Sequence, residues 1–267
     1  MHKIYYILAL VLFVLWGCEW RLKPNDKDCQ TGTVVVERYD RIQGLYLTTG
    51  DFSALQQLNM EYPMQTRALI EDVLKIGRVN DPEINSKFLK FYQDTVLQSL
   101  INEVEQQYAN MDDINKGLTS AFGKLKEEVP EITVPKIYSQ IGALDQSIVV
   151  GENIIGISLD KYLGKDYPLY LKYYPESQRE QMVRSMIVPD CMAFYILSLF
   201  PMPHDKELSQ KDCDIHMAKI FWVVNKITAK RIFTSEYVAM VERYMRRNKG
   251  ETVLDLLRNN NYAEFCN

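Results

Sequence analysis

The chain has 267 residues, 47% of them hydrophobic, with 31 Lys+Arg against 35 Asp+Glu and a net charge of −4. That length buries a full core as one domain or at most two. The acidic balance argues against nucleic acid as a partner, because neutralising phosphates takes clustered Lys and Arg, and the densest basic stretch, Arg243 to Lys249, reads as a solvated helix face.

Met1-His2-Lys3 carries one cation, Ile4 to Trp16 is apolar throughout, and Gly17 precedes Cys18. A run of this length falls short of the ~20 residues that span a bilayer, so residues 1–17 read as a cleavable signal. Leu15-Trp16-Gly17-Cys18 resembles a bacterial lipobox. In that pattern the Cys18 thiol receives diacylglycerol, the leader is cut before it, and the new amine is acylated, which makes a lipid bilayer the first expected partner. Cleavage removes Lys3 and leaves 30 Lys+Arg against 35 Asp+Glu. Residues 18–32 are polar and aperiodic, a tether between lipid and body, and residues 33–267 read as a single domain. Four further cysteines, Cys29, Cys191, Cys213 and Cys266, leave disulfide pairing open among three connectivities, with free core thiols equally open.

Within the body, Thr33 to Asp40 is a short strand or an extended lead-in. From Asp51 the apolar residues Leu55, Leu58, Ala68, Leu69, Val73 and Ile76 recur at helical spacing, with Pro63 dividing two helices. Asp81-Pro82 opens another helix, whose stripe runs from Ile84 through Phe88, Phe91, Val96, Leu100 and Val104 to Tyr108. Asn110 to Glu128 adds an amphipathic segment. The period then changes: Val134 to Ile141 and Val149 to Leu159 are short and β-branched, with Gly151-Glu152-Asn153 as a hairpin signal. A tyrosine-rich connection leads to helices at about 177–200, 206–227, 235–248 and 251–258, with Thr234-Ser235-Glu236 offering capping oxygens. The order predicts a mostly helical α+β fold with a small antiparallel sheet in the middle.

The familiar catalytic patterns are missing from the sequence. Behind the leader only His204 and His216 remain, neither in His-Glu-x-x-His, and no Gly-x-Ser-x-Gly or Gly-x-Gly-x-x-Gly occurs, so no cofactor is expected. Cys213 and His216 stand three apart on a helix, near Asp205 and Glu207, but a core thiol beside a histidine accounts for them without a metal. The pairs Asp112-Asp113 and Glu127-Glu128 read as solvated faces. Asp160 to Tyr174 is less easily set aside, with five tyrosines in thirteen residues. Asp160, Tyr162, Tyr167 and Tyr170 are candidates for a partner surface; the alternative is a loop packed onto the body by its own tyrosines.

Ile155-Gly-Ile-Ser-Leu-Asp-Lys-Tyr-Leu-Gly-Lys-Asp-Tyr167, preceded by Phe122-Gly-Lys-Leu-Lys126 and Val134-Pro-Lys-Ile-Tyr138, resembles the GldB family of Bacteroidetes gliding-motility lipoproteins. Glu37-Arg-Tyr-Asp40 and Ile187-Val-Pro-Asp190 fit it in the same order, and the likeness spans about residues 34–226. That family is similar in turn to predicted zinc peptidases. Placed on their pattern, Pro189 and Ala193 stand at histidine positions, Asp190 at the glutamate, and Met217 at the third ligand, so the resemblance implies a peptidase-like fold without its zinc. It further suggests Asp190 and Lys219 as a buried structural pair. The stretch between the Lys219 helix and the C-terminal helix is shorter than is usual in the motility lipoproteins.

The expectation is a non-enzymatic envelope lipoprotein, held by Cys18 at the outer membrane facing the periplasm and acting on envelope proteins through contacts. The alternatives are a hydrolase built on Asp190, Cys213 and His216, or a peptide- or glycan-binding module centred on Tyr162 to Tyr174.

Overall fold

The computed structural model describes residues 32–203 and 207–266. Cys18, Cys29, His204 and Asp205 lie outside them, and with them the lipid attachment and the tether. Helices dominate: α1 (Tyr39–Thr49), α2 (Phe52–Glu61), α3 (Pro63–Arg67) continuing into a π-helical turn (Ala68–Val73), α4 (Ile84–Phe91), α5 (Thr95–Gln107) and α6 (Asp112–Glu128) precede the main strands. After them come α7 (Pro168–Tyr173), α8 (Glu176–Arg179), α9 (Ile187–Leu199), α10 (Gln210–Thr228), α11 (Glu236–Arg247) and α12 (Val253–Arg258). The core runs without a break from Val34 to Phe265.

Many of the ends are set by short polar side chains. Asp51 accepts from the amides of Ser53 and Ala54 at the start of α2, and Asp94 from Val96 and Leu97 at α5. Ser209 with Asp212 and Thr252 with Asp255 close capping boxes on α10 and α12, while Ser235 caps α11 as its position suggested. Gly50, at φ 71°, ends α1 in the left-handed conformation that glycine adopts without strain.

Four strands, β1 (Val36–Glu37), β2 (Lys136–Gln140), β3 (Ile148–Gly151) and β4 (Ile154–Ser158), form one sheet in the order β1-β2-β4-β3. The expected antiparallel sheet is corrected to a mixed one: β1 with β2 and β2 with β4 run parallel, and only the β3–β4 hairpin is antiparallel. Six helices intervene between β1 and β2, which frees the chain to return in the same direction, and β4 inserts between β2 and β3. The parallel pair is buried on successive residues, so both its faces are covered, as the Ile-Ile-Gly-Ile run of β4 requires. Within Thr33 to Asp40 the expected short strand is β1, and helix α1 begins at Tyr39.

At Gly156 a Cβ would come within 2.6 Å of Tyr138 Oη and Cζ. The Tyr138 ring therefore lies flat across β4, and its edge meets Tyr39 of α1 with centroids 5.9 Å apart. Helix α9 packs against β3 and β4, and α6, α9 and α10 pack on one another.

Candidate functional site

The C-terminal ends of parallel strands are where α/β folds place ligands. Here that end is filled by the protein's own polar groups. Gln43 of α1 donates from Nε2 to the Ile141 carbonyl and accepts its amide at Oε1, both at 2.8 Å, and the Tyr92 hydroxyl donates to the same carbonyl at 2.6 Å. Asp160, fully buried, accepts from the amides of Gly142 at 2.7 Å and Leu144 at 2.6 Å. Ala143 and Leu144 have φ of 52° and 64°, so the carboxylate fastens a loop that side chains disfavour. Burial raises the Asp160 pKa, and the two amides oppose that rise.

The tyrosine segment faces inward. Tyr170, buried, donates to the Asp160 carbonyl and accepts from the Leu163 amide at 3.1 Å. Tyr108 donates to the Tyr162 carbonyl at 2.6 Å, and the Tyr167 ring packs on Tyr170 with centroids 5.0 Å apart. As a contact surface, Asp160, Tyr162 and Tyr170 are therefore corrected: they are interior groups that glue the loop to the body, with Tyr167 half-buried and Tyr173 left exposed.

Asp190 and Lys219 do not pair. On the first turn of α9, Asp190 Oδ2 accepts from the Tyr162 hydroxyl at 2.8 Å, and burial pushes its pKa up to about 6 against that hydrogen bond. Lys219 Nζ donates instead to the carbonyls of Asn259 at 2.7 Å and Leu257 at 3.4 Å, at the end of α12, and burial lowers its pKa to about 8. Carbonyls at a helix C-terminus lack intrahelical donors, and the ammonium supplies one.

His216 is 1% exposed and both its nitrogens are engaged: Nε2 lies 3.0 Å from the Phe200 carbonyl, which fixes the proton there, and Nδ1 accepts from the Tyr262 hydroxyl at 3.0 Å. Burial lowers its pKa, the Lys219 charge adds to this, and the Phe200 bond opposes it. With its one lone pair committed, His216 has nothing to offer Cys213 or a metal. Cys191, Cys213 and Cys266 are free thiols. Among the described residues no three His, Cys, Asp or Glu side chains converge to hold a metal ion. Pro189 and Ala193 are buried, and Met217 is half-buried.

The opening that sequence reading missed is a groove of about 760 Å³ between residues 63–85 and the β3–β4 hairpin. Pro63, Met64, Arg67 and Asp72 form one wall, and Gly151, Glu152 and Ile154 the other. The first wall includes the π-helical turn, and Lys75 and Gly77 just beyond it have positive φ. Asp72 also raises the pKa of Tyr138, after burial, and the Tyr138 hydroxyl is buried with no hydrogen-bond partner among the described residues. A smaller cavity of about 110 Å³ lies between α1 and α5, at Gly44, Thr48 and Ile101.

Compared with models of known protein families, residues 20–231 match the family described as gliding motility protein GldB. No curated protein and no solved structure matches the chain.

Proposed function

The chain belongs to the GldB family of gliding-motility lipoproteins, and on that premise we propose that it is a non-enzymatic, lipid-anchored envelope protein that works through protein contacts. Cys18 carries the anchor, at the outer membrane and facing the periplasm. Acyl chains contribute ~0.8 kcal/mol per buried CH₂, so several of them hold the protein permanently. No helix of the described residues is long and apolar enough to cross a membrane.

The observation that supports contact-based action most directly is the open groove, walled by Met64 at 54% exposure with Met60 at 78% nearby. Methionine side chains adapt to irregular partner surfaces. Purification of the lipidated protein from its own envelope tests this reading. A discrete envelope protein should co-purify, and Cys18→Ser should release the protein from the membrane fraction. Absence of any co-purifying protein would contradict it.

A hydrolytic reading has one observation in its favour, the Asp190 carboxyl with its pKa near 6 beside Tyr162. It requires a second group to share the reaction, and neither Cys213 nor His216 is bonded to Asp190. Peptide cleavage by the purified chain, abolished in Asp190→Asn, would establish it over the first.

A further inference from the structure

Helix α11 buries Val238, Val241 and Tyr244 against the body, which turns Arg243, Arg246 and Arg247 outward, with exposed Lys249 just beyond its end. Cations at a helix C-terminus are ordinary, because they face carbonyls that lack intrahelical donors. Here a second segment adds to them. The loop leaving α10 brings Arg231, with Lys230 beside it in the chain, to within 3.9 Å of Glu242, the same carboxylate that pairs with Arg246. That loop is held in place. Asn225 donates to the Phe233 carbonyl at 2.8 Å and accepts the amides of Ile232 at 2.9 Å and Phe233 at 3.0 Å, and the Phe233 ring stacks on Phe221 with centroids 4.2 Å apart.

The result is a preformed basic face on a chain whose net charge is −4. All six cations are exposed, and Glu242 is the one carboxylate paired with any of them among the described residues. The face has no opening and no greasy centre. None of the six lines the groove or the smaller cavity, and no large apolar side chain between Lys230 and Gly250 is exposed. Protein interfaces are built round a core depleted of charge and rich in aromatic groups, whereas an anionic bilayer surface is recognised by charge alone, with no matching of shape. The second kind of partner fits this face.

We propose that the face formed by Lys230, Arg231, Arg243, Arg246, Arg247 and Lys249 rests on the anionic phospholipid headgroups of the leaflet that holds the chain. This rests on the lipid-anchored reading above and adds an orientation to it. Acyl chains fix the protein to a membrane without deciding which side of the body meets it. The remainder of the chain is more acidic still without these six cations, so the same leaflet attracts this face and repels the others within a Debye length.

The test uses the lipidated full chain reconstituted into vesicles, with benzoylphenylalanine in place of Asn248, which is exposed between Arg247 and Lys249. The vesicles are phosphatidylcholine alone or with about one third phosphatidylglycerol, and lipid adducts are measured by mass spectrometry after illumination. Adducts should be about fivefold more frequent on the anionic vesicles, and salt at about 0.5 M should abolish the excess. Arg243→Gln, Arg246→Gln, Arg247→Gln and Lys249→Gln together should lower the yield to that on neutral vesicles, with an unchanged melting curve. The salt comparison leaves the basic face unmodified, which keeps the test valid should the fourfold variant not fold. Equal yields on the two vesicles, or an excess that survives either salt or the four substitutions, would overturn the proposal. So would a discrete protein adduct at the same position in living cells with no lipid adduct, which would assign the face to an acidic protein. A chain that floats with both vesicles and gives equal yields loses this face and keeps its anchor. One that floats with neither loses the anchor itself.

Discussion

The Tyr162 hydroxyl donates to Asp190 Oδ2 at 2.8 Å and ties the loop after β4 to the first turn of α9. Burial works against the carboxylate in this bond, and the proton is held up to about pH 6 rather than 3.8.

That relationship predicts a pH dependence of stability. The folded protein binds an extra proton between 3.8 and 6, so the wild type loses stability as pH rises through that window and bears the full penalty above 6. Asp190→Asn does not titrate and keeps an oxygen for Tyr162. Its stability relative to wild type should therefore rise between pH 4 and pH 7, by on the order of 1 to 2 kcal/mol after allowing for solvent screening. Urea unfolding of both proteins at the two pH values measures it; a constant difference would refute the assignment.

Asp160 is expected to matter far more than the exposed Asp166 in the same segment. Asp160→Ala removes the acceptor of two buried amides and releases Ala143 and Leu144 from their positive φ. Loss of two charge-assisted bonds should cost about 2 to 4 kcal/mol, while Asp166→Ala should fall within ~0.5 kcal/mol of wild type. Equal denaturation midpoints for the two variants would show that the loop does not depend on the carboxylate.

Tyr138 carries a buried hydroxyl without a partner among the described residues. Removing an unsatisfied polar atom while keeping the ring should be neutral or stabilising by up to about 1 kcal/mol, so Tyr138→Phe should melt at or above the wild-type temperature. Gly156→Ala, by contrast, forces a Cβ to within 2.6 Å of that ring and should cost about 1 to 3 kcal/mol. A clear loss of stability in Tyr138→Phe would mean that the hydroxyl is satisfied after all.

The helices with an apolar stripe or a capping side chain were legible in the sequence: α2 from Asp51, α6, and α11 from Ser235. Helix α1 was not, because its buried face is Tyr39, Asp40, Gln43, Gly44, Tyr46 and Leu47, in which polar contacts replace the apolar period. The strands were visible by their β-branched runs and the Gly151-Glu152-Asn153 turn, but alternation along one strand says nothing about which neighbour it pairs with. The tyrosines show the same limit. Tyrosine suits an interface and a packed loop equally, and only the bonds of Tyr108 and Tyr170 decide for the loop. Asp190 and Lys219 were expected to pair with each other, yet each has a partner elsewhere in the sequence, Tyr162 and Asn259. The groove left no local signal, since it arises where residues 63–85 meet a hairpin about seventy positions further on.

The central claim is that this body works by holding a partner in the groove, and site-specific photo-crosslinking in living cells tests it most directly. A benzoylphenylalanine placed at Met64 should yield one discrete crosslinked envelope protein. The same group at Leu171, which is 55% exposed but lies outside the groove, should yield none. No adduct from Met64, or the same adducts from both positions, would contradict the account.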